Sequence, residues 1–182
     1  MTILDIVYVP DKRLRQKANT IKDFAPDLKQ HIVFKQLVAD MLETMRCHEG
    51  VGLAGPQIGV MQRIFVARIP LPSDDAVQAH PQAGVPFALL NPEISRMSPN
   101  LVEGQEGCLS IPGWMGCVDR PEWIEVQAQD VTGRPQKLRA EGFLARIFMH
   151  EIDHLNGVLY TDHINDREKL WVVEEDSNEE DR

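Results

Sequence analysis

The stretch Phe148-Met149-His150-Glu151-Ile152-Asp153-His154-Leu155 places two histidines four positions apart. On an α-helix with 3.6 residues per turn, His150 and His154 project from the same face. Glu151 points about 100° around the helix, where it can reach a water on a metal without being a ligand. The pattern therefore predicts a helix that supplies two metal ligands, and it favours metal-assisted hydrolysis.

Periodicity extends this central helix over residues 142–156, with Gly157 as its terminator, and predicts an earlier helix over residues 27–47. A further helix is predicted near residues 167–173. Strand signals fall at residues 63–68, 87–92 (ending at an Asn-Pro turn), 94–97, 117–118, 123–128 and 137–140. The predicted fold class is α+β, with short antiparallel sheets packed around the metal-binding helix and a helix towards each end of the chain.

The sequence predicts one catalytic domain over residues 1–173, because 182 residues suit a single core and no linker interrupts them. The glycine-rich segment 50–59 is predicted to be a tight loop, and residues 70–86 a surface loop. Residues 174–182 are almost entirely acidic and polar, so this tail is predicted to be disordered.

Charge and cysteine content exclude several classes of protein. The formal net charge of -9 argues against non-specific binding to DNA or to an anionic membrane. No apolar run approaches the ~20 residues that span a bilayer, and no signal peptide is recognisable, so we expect a cytoplasmic protein. The three cysteines, Cys47, Cys108 and Cys117, do not predict a disulfide framework.

A catalytic zinc-type site needs a third protein ligand, and several residues could supply it. Tyr160 occupies the position of the third histidine of metzincin proteases. Glu174 has the spacing of the thermolysin-like ligand, and His163 follows the helix, so a zinc metallopeptidase with either ligand is an alternative. Cys108 follows a glycine, and its thiolate would be a strong ligand for Zn²⁺ or Fe²⁺. A lone cysteine is more often a small buried apolar residue.

Three sequence motifs that occur in a fixed order bear on the identity of the third ligand. They are GVGLAGPQIG at residues 50–59, EGCLS at residues 106–110 and HEIDHLNG at residues 150–157. The combination closely resembles the peptide deformylases, and the similarity runs from about residue 4 to about residue 170. The resemblance implies an enzyme of N-terminal protein processing rather than a silent peptide-binding relative.

By this resemblance, Cys108, His150 and His154 bind one divalent metal ion, most often Fe²⁺, with Zn²⁺, Ni²⁺ and Co²⁺ as alternatives. Glu151 would be the general base and then the general acid. The implied substrate is the N-formyl group on the initiator methionine of a nascent polypeptide, and the products are formate and a free amino terminus.

The resemblance also implies roles for residues around the metal. The side-chain amide of Gln57 and the backbone N–H of Leu109 would stabilise the oxyanion. The backbones of Val51, Gly52 and Gly107 would pair with an extended substrate, and Ile147 would line the methionine pocket or simply pack in the core.

Acidic residues beside the ligands are expected to orient them rather than to react. Glu106 and Asp153 are of this kind, and we expect Arg120 to pair with Asp153. Bacterial members of the family can dock on the ribosome through a basic carboxy-terminal helix. The acidic tail here does not favour that contact.

Overall fold

The computed structural model describes residues 2–22, 28–73 and 79–173, with the side chains of residues 28–31 excepted. Within these ranges the α-helices are α1 (Leu28–Cys47) and α2 (Gly142–Leu155). The strands are β1 (Gly52–Ala54), β2 (Ile64–Ala67), β3 (Phe87–Met97), β4 (Leu101–Cys108), β5 (Ile111–Pro121), β6 (Trp123–Gln129), β7 (Pro135–Glu141) and β8 (Leu170–Val172). All strand pairs are antiparallel, so the predicted α+β class is confirmed.

The larger sheet has the strand order β1-β2-β3-β6-β7 and lies between the two helices. Strand β2 shows how the sequence produces this arrangement. Its residues Phe65 and Ala67 join the apolar cluster that contains α2, whereas Ile64 and Val66 join the cluster that contains α1. Because side chains alternate between the two faces of a strand, a sheet covered on both faces requires such an uninterrupted apolar run.

Helix α2 is anchored on this sheet by aromatic packing. The fully buried Phe148 ring meets Phe65 and Phe87 edge to face, each with ring centroids 5.3 Å apart. Such a pair contributes about 0.5–1.5 kcal/mol beyond the buried area. The helix ends at the C-cap Asn156, and Gly157 follows with φ of 75°, as the sequence predicts.

The smaller sheet has the order β4-β5-β8 and carries the predicted cysteine ligand. Strands β4 and β5 form a hairpin in which Cys108 pairs with Ile111 across the two-residue turn of Leu109 and Ser110. Cys108 therefore lies at the tip of a hairpin, while the two histidines lie on α2. Strands β1 and β4 are each at the edge of their sheet.

The segment 50–59, predicted to be a tight loop, instead contains β1 and the 3-10 turn Gly55–Ile58. Two further boundaries predicted from the sequence are wrong. Strand β3 does not end at Asn91; it continues to Met97 through a register shift between Leu90 and Glu93. The positive φ of Asn91, 49°, accommodates this bulge, and its side chain bonds the backbone of Ile21. The predicted carboxy-terminal helix is helical only over the 3-10 turn Arg167–Lys169, because the next three residues pair with β5 as β8.

The apolar stripe predicted for α1 is also only partly buried. Met41 and Met45 pack in the core, but the side chain of Ile32 is 63% exposed. The predicted tail at residues 174–182 and part of the predicted loop at residues 70–86 lie outside the described residues. Among the described helices, none is both long and apolar enough to span a bilayer.

Candidate metal centre

The hairpin tip and helix α2 bring Cys108, His150 and His154 together. Their potential ligand atoms all lie within 4.8 Å of one another, and Cys108 Sγ is 3.2 Å from His154 Nε2. This is the one group of three potential metal-ligating side chains within the described residues. The predicted third ligand thus lies beside the two histidines, although 42 residues separate it from His150 in the sequence.

The residues present fit a metal ion. His150 Nδ1 is 2.9 Å from Glu106 Oε2, a contact that fixes Nδ1 as the donor and leaves Nε2 free to bind a metal. One thiolate and two neutral imidazoles are a donor set that suits Zn²⁺, Fe²⁺ and related ions. The ring of Tyr160 stacks on His150 with centroids 5.9 Å apart and further restricts the imidazole.

Electrostatics also favour a cation in this cluster. Burial opposes protonation of His150, but the hydrogen bonds of Cys108 and Glu106 outweigh it, so the pKa of His150 is raised well above its ordinary value. The pKa of His154 lies well below its ordinary value, because burial and the charge of His150 both lower it. The site therefore stabilises a positive charge beside Cys108 and Glu106.

Glu106 is the centre of a buried ionic network. Its carboxylate accepts two hydrogen bonds from Arg120, at 2.9 and 3.0 Å, and one from Arg146 at 2.9 Å. Burial alone would raise the pKa of Glu106, but the hydrogen bonds from His150 and Arg120 lower it to about 2. The carboxylate is therefore ionised and can hold the imidazole of His150 in place.

The expected pair of Arg120 and Asp153 is present, with Nη1 2.6 Å from Oδ2. His163 Nε2 lies 2.8 Å from the same Asp153 oxygen, so this histidine belongs to the network and is not in the ligand cluster. Tyr160 donates its hydroxyl to the carbonyl of Trp114. These contacts do not favour the metallopeptidase ligand sets that use His163 or the position of Tyr160, and Glu174 lies outside the described residues.

Glu151 lies beside the cluster and is 3% exposed. Its carboxylate is so close to the backbone of Gly52 that a Cβ atom on residue 52 would lie 2.2 Å from Glu151 Oε1. Its other oxygen, Oε2, has no hydrogen-bond partner among the described residues. Burial raises the pKa of this carboxyl to about 7, and a charge on His150 lowers it only partly. Such a group is suited to accept a proton near neutral pH.

The amide of Gln57 is oriented towards the cluster. Its Oε1 accepts a hydrogen bond from the backbone N–H of Ala54 at 2.8 Å. The NH₂ end must then face the other way, and Nε2 lies 3.5 Å from Cys108 Sγ and 3.3 Å from Ser110 Oγ. In the part of the chain that the structure describes, the backbone N–H of Leu109 has no acceptor. The side-chain amide of Gln57 and the backbone N–H of Leu109 are thus two donors close to the potential metal ligands.

A cleft of about 810 Å³ opens onto these groups. Its walls include all four residues predicted to bind substrate, namely Val51, Gly52, Gly107 and Ile147. The edge strands β1 and β4 contribute to this cleft from the two sheets. Ile147 is only 3% exposed, belongs to the core cluster around α2 and also lines the cleft.

Sequence reasoning missed Arg146, a buried arginine on the same face of α2 as His150 and His154. A signal for it was present, because a charged residue one turn before His150 on a buried helix face requires an anionic partner. Glu106 is that partner.

An α+β fold in which a cysteine from a hairpin joins the two histidines of an H-E-x-x-H helix defines a mononuclear metal-hydrolase type of site. The family profile for polypeptide deformylase matches residues 3–170. The chain therefore belongs to the peptide deformylase family, whose members are metal-dependent hydrolases, as the three motifs predict.

Individual relatives agree with this assignment. The peptide deformylase of Thermomicrobium roseum is 43% identical over 179 residues, which cover 98% of this chain and 96% of the relative. That of Symbiobacterium thermophilum is 45% identical over 180 residues, covering 99% and 74%. The crystal structure of a peptide deformylase from Synechococcus elongatus in complex with actinonin has a TM-score of 0.78 and 40% identity, covering 93% of this chain and 82% of that one. The Thermotoga maritima enzyme has a TM-score of 0.78 and 34% identity, covering 91% and 100%.

Proposed function

We propose that this protein removes the N-formyl group from the initiator methionine of nascent polypeptides and releases formate. The observation that carries the proposal is the convergence of Cys108 with His150 and His154 beside a buried Glu151, in a chain of the peptide deformylase family. The substrate is a nascent chain, so the proposed place of reaction is the cytoplasm.

In this proposal Cys108, His150 and His154 hold one divalent ion, expected to be Fe²⁺ in the cell, with Zn²⁺, Ni²⁺ or Co²⁺ able to replace it. When bound, such an ion supplies Lewis-acid chemistry, since it polarises the formyl carbonyl and acidifies the attacking water. The hydrogen bond between His150 and Glu106 supports this assignment, because ligating histidines usually donate their second N–H to a carboxylate or carbonyl.

Glu151 moves the proton in the proposed mechanism. Its unpartnered Oε2 accepts a proton from the water that attacks the formyl carbon. As the bond between that carbon and the amide nitrogen breaks, Glu151 returns the proton to the nitrogen, which leaves as the free amino terminus. The raised pKa of this carboxyl suits both transfers.

Negative charge that develops on the formyl oxygen needs donors that are already in place. We assign this role to Gln57 Nε2 and to the backbone N–H of Leu109. The hydrogen bond that Ala54 donates to the other end of the Gln57 amide supports the assignment, because it keeps the NH₂ group turned towards Cys108 without any rearrangement during the reaction.

The peptide is proposed to bind as an added strand between the free edges of β1 and β4. Val51 and Gly52 would pair with it on one side and Gly107 on the other, through main-chain hydrogen bonds that do not depend on sequence. Ile147 would contribute to the apolar slot for the methionine side chain. The position of both strands at the edges of their sheets, beside the cleft, supports this arrangement.

The test is formate release from formyl-Met-Ala-Ser, followed with formate dehydrogenase. We expect turnover by the wild-type protein and a fall of about 10²–10⁴-fold in kcat for Glu151→Gln, with metal content retained because Glu151 is not a ligand. Cys108→Ala should lose the metal. Undiminished turnover by Glu151→Gln would refute the mechanism. Peptide-bond cleavage by a metal-loaded Cys108→Ala variant would instead indicate a metallopeptidase.

A further inference from the structure

The proposed metal site is divided between two parts of the fold whose buried apolar side chains belong to different clusters. Helix α2, which carries His150 and His154, packs in an apolar cluster built with the five-stranded sheet. No buried residue of β4, β5 or β8 belongs to that cluster within the described parts of the chain. Cys108, however, lies on β4. The geometry of the site therefore depends on polar contacts between α2 and the three-stranded sheet, together with the stacking of Tyr160 on His150.

Arg146 makes most of these contacts from the helix side. Its Nη1 donates to Glu106 Oε1 at 2.9 Å, to the carbonyl of Val118 at 2.8 Å and to that of Gly104 at 3.2 Å. Its Nη2 donates to the carbonyl of Val102 at 2.7 Å. One planar guanidinium thus joins α2 to both β4 and β5.

Arg146 is close to His150 along α2 and, through Glu106, to Cys108 on β4. It lies one helical turn before His150, and its partner Glu106 lies two residues before Cys108 and also bonds His150. The two terminal nitrogens of the guanidinium together reach a carboxylate and three carbonyls, whereas a lysine has one nitrogen on a differently shaped side chain and cannot reproduce both the Nη1 and the Nη2 contacts.

We propose that Arg146 is a positioning residue that sets the distance between Cys108 and the two histidines, an inference that rests on the proposed function. It lines the cleft but is not one of the metal ligands. Its effect is transmitted through Glu106 and through the carbonyls of β4 and β5.

The experiment compares Arg146→Lys with Arg63→Lys in the full-length protein. Arg63 is a matched control because it is also buried and also joins α2 to a strand, through the carbonyls of Leu155 and Pro92 at 3.1 Å each, but it does not contact Glu106. Both variants should unfold at a lower temperature than the wild type. Co²⁺ is the probe, since its affinity can be measured against a chelator and its absorption reports the thiolate ligand.

We expect Arg146→Lys to weaken Co²⁺ binding by about 10–100-fold, as loss of groups that orient metal ligands does, and to change the thiolate-to-cobalt absorption. Arg63→Lys should leave both unchanged within twofold. Wild-type Co²⁺ affinity and absorption in Arg146→Lys, or equal weakening in Arg63→Lys, would overturn the proposal.

A second variant covers the case in which Arg146→Lys does not fold. A Cβ atom on residue 104 would lie 2.7 Å from the Arg146 guanidinium, so Gly104→Ala displaces the same group without removing it. Failure of both variants to fold would also overturn the proposal, because Arg146 would then serve the fold as a whole. A wild-type protein that binds Co²⁺ through Cys108 yet releases no formate would refute the proposed function alone.

Discussion

At the scale of single residues, the close contact between Gly52 and Glu151 restricts the position of the Glu151 carboxylate. In Gly52→Ala the added methyl group would overlap Glu151 Oε1. The carboxylate is the far end of a side chain, so it can move aside at little cost to folding. A displacement of about 1 Å can reduce catalysis by about 10²-fold. We therefore expect formate release to fall about that far while the thermal midpoint stays near the wild-type value.

Gly133→Ala is the matched control for this prediction. Gly133 lies in a remote turn with φ of 81°, where any side chain is strained. We expect this variant to lose stability and to keep its kcat. Equal turnover by Gly52→Ala and the wild type would show that Glu151 tolerates displacement or does not take part.

Glu49 has an unfavourable backbone conformation at the cleft. It follows α1 with φ of 55°, in the position where helices usually have glycine, and the bonds from Gly50 N–H to the Met45 carbonyl and from Glu49 N–H to the Arg46 carbonyl complete the helix end. Glu49→Gly should therefore raise the free energy of unfolding by about 1 kcal/mol. Urea titration will measure this change. Glu49→Ala removes the same carboxylate but keeps the Cβ atom, so a similar gain in that variant would contradict the backbone explanation.

At the scale of elements, the side chain of Arg120 joins β5 to α2 through ion pairs. It bonds Glu106 and Asp153 with almost no exposure to solvent. Removing one member of a buried ion pair usually costs about 3–5 kcal/mol, because the partner's charge stays buried without compensation. We expect Arg120→Ala to lose stability in this range and to bind metal more weakly, as measured by urea titration and chelator competition.

The surface pair of Lys169 and Glu103 provides the comparison. Both side chains are at least 40% exposed, so water screens their attraction. Lys169→Ala should leave the urea midpoint close to that of the wild type. A similar loss in both variants would mean that burial does not determine the strength of these pairs.

Elements with strong periodicity were predictable from the sequence, and others were not. Helix α2 has the predicted start and ends within one residue of its predicted end, because apolar residues repeat along it and a glycine follows. Strand β4, with the sequence LVEGQEGC, was missed because it is an edge strand with only one buried residue and is rich in glycine and polar residues. The identities of the potential ligands could be read from the motifs. The ties that hold them, above all Arg146, depend on contacts between distant segments.

At the scale of the whole molecule, the fold should not depend on the metal. Among the residues that the structure describes, three apolar clusters form the core, and most of their members lie away from the candidate ligands. A chelator should therefore leave the circular dichroism spectrum nearly unchanged. It should lower the thermal midpoint, since a metal at 100 times its Kd contributes about 2.7 kcal/mol, which is about 5–10 °C for a chain of this length. Loss of ellipticity, as in zinc fingers, would contradict this expectation.

The shortness of β1 has a consequence for what the protein can recognise. Its three residues provide a strand edge of about 10 Å, at ~3.3 Å per residue, with which a bound peptide can pair. A peptide that pairs with this edge would form main-chain hydrogen bonds with β1 over only its first few amino acids. Under the proposed function, the enzyme would be indifferent to the rest of the polypeptide, so a tripeptide and a protein just emerging from synthesis would be handled alike.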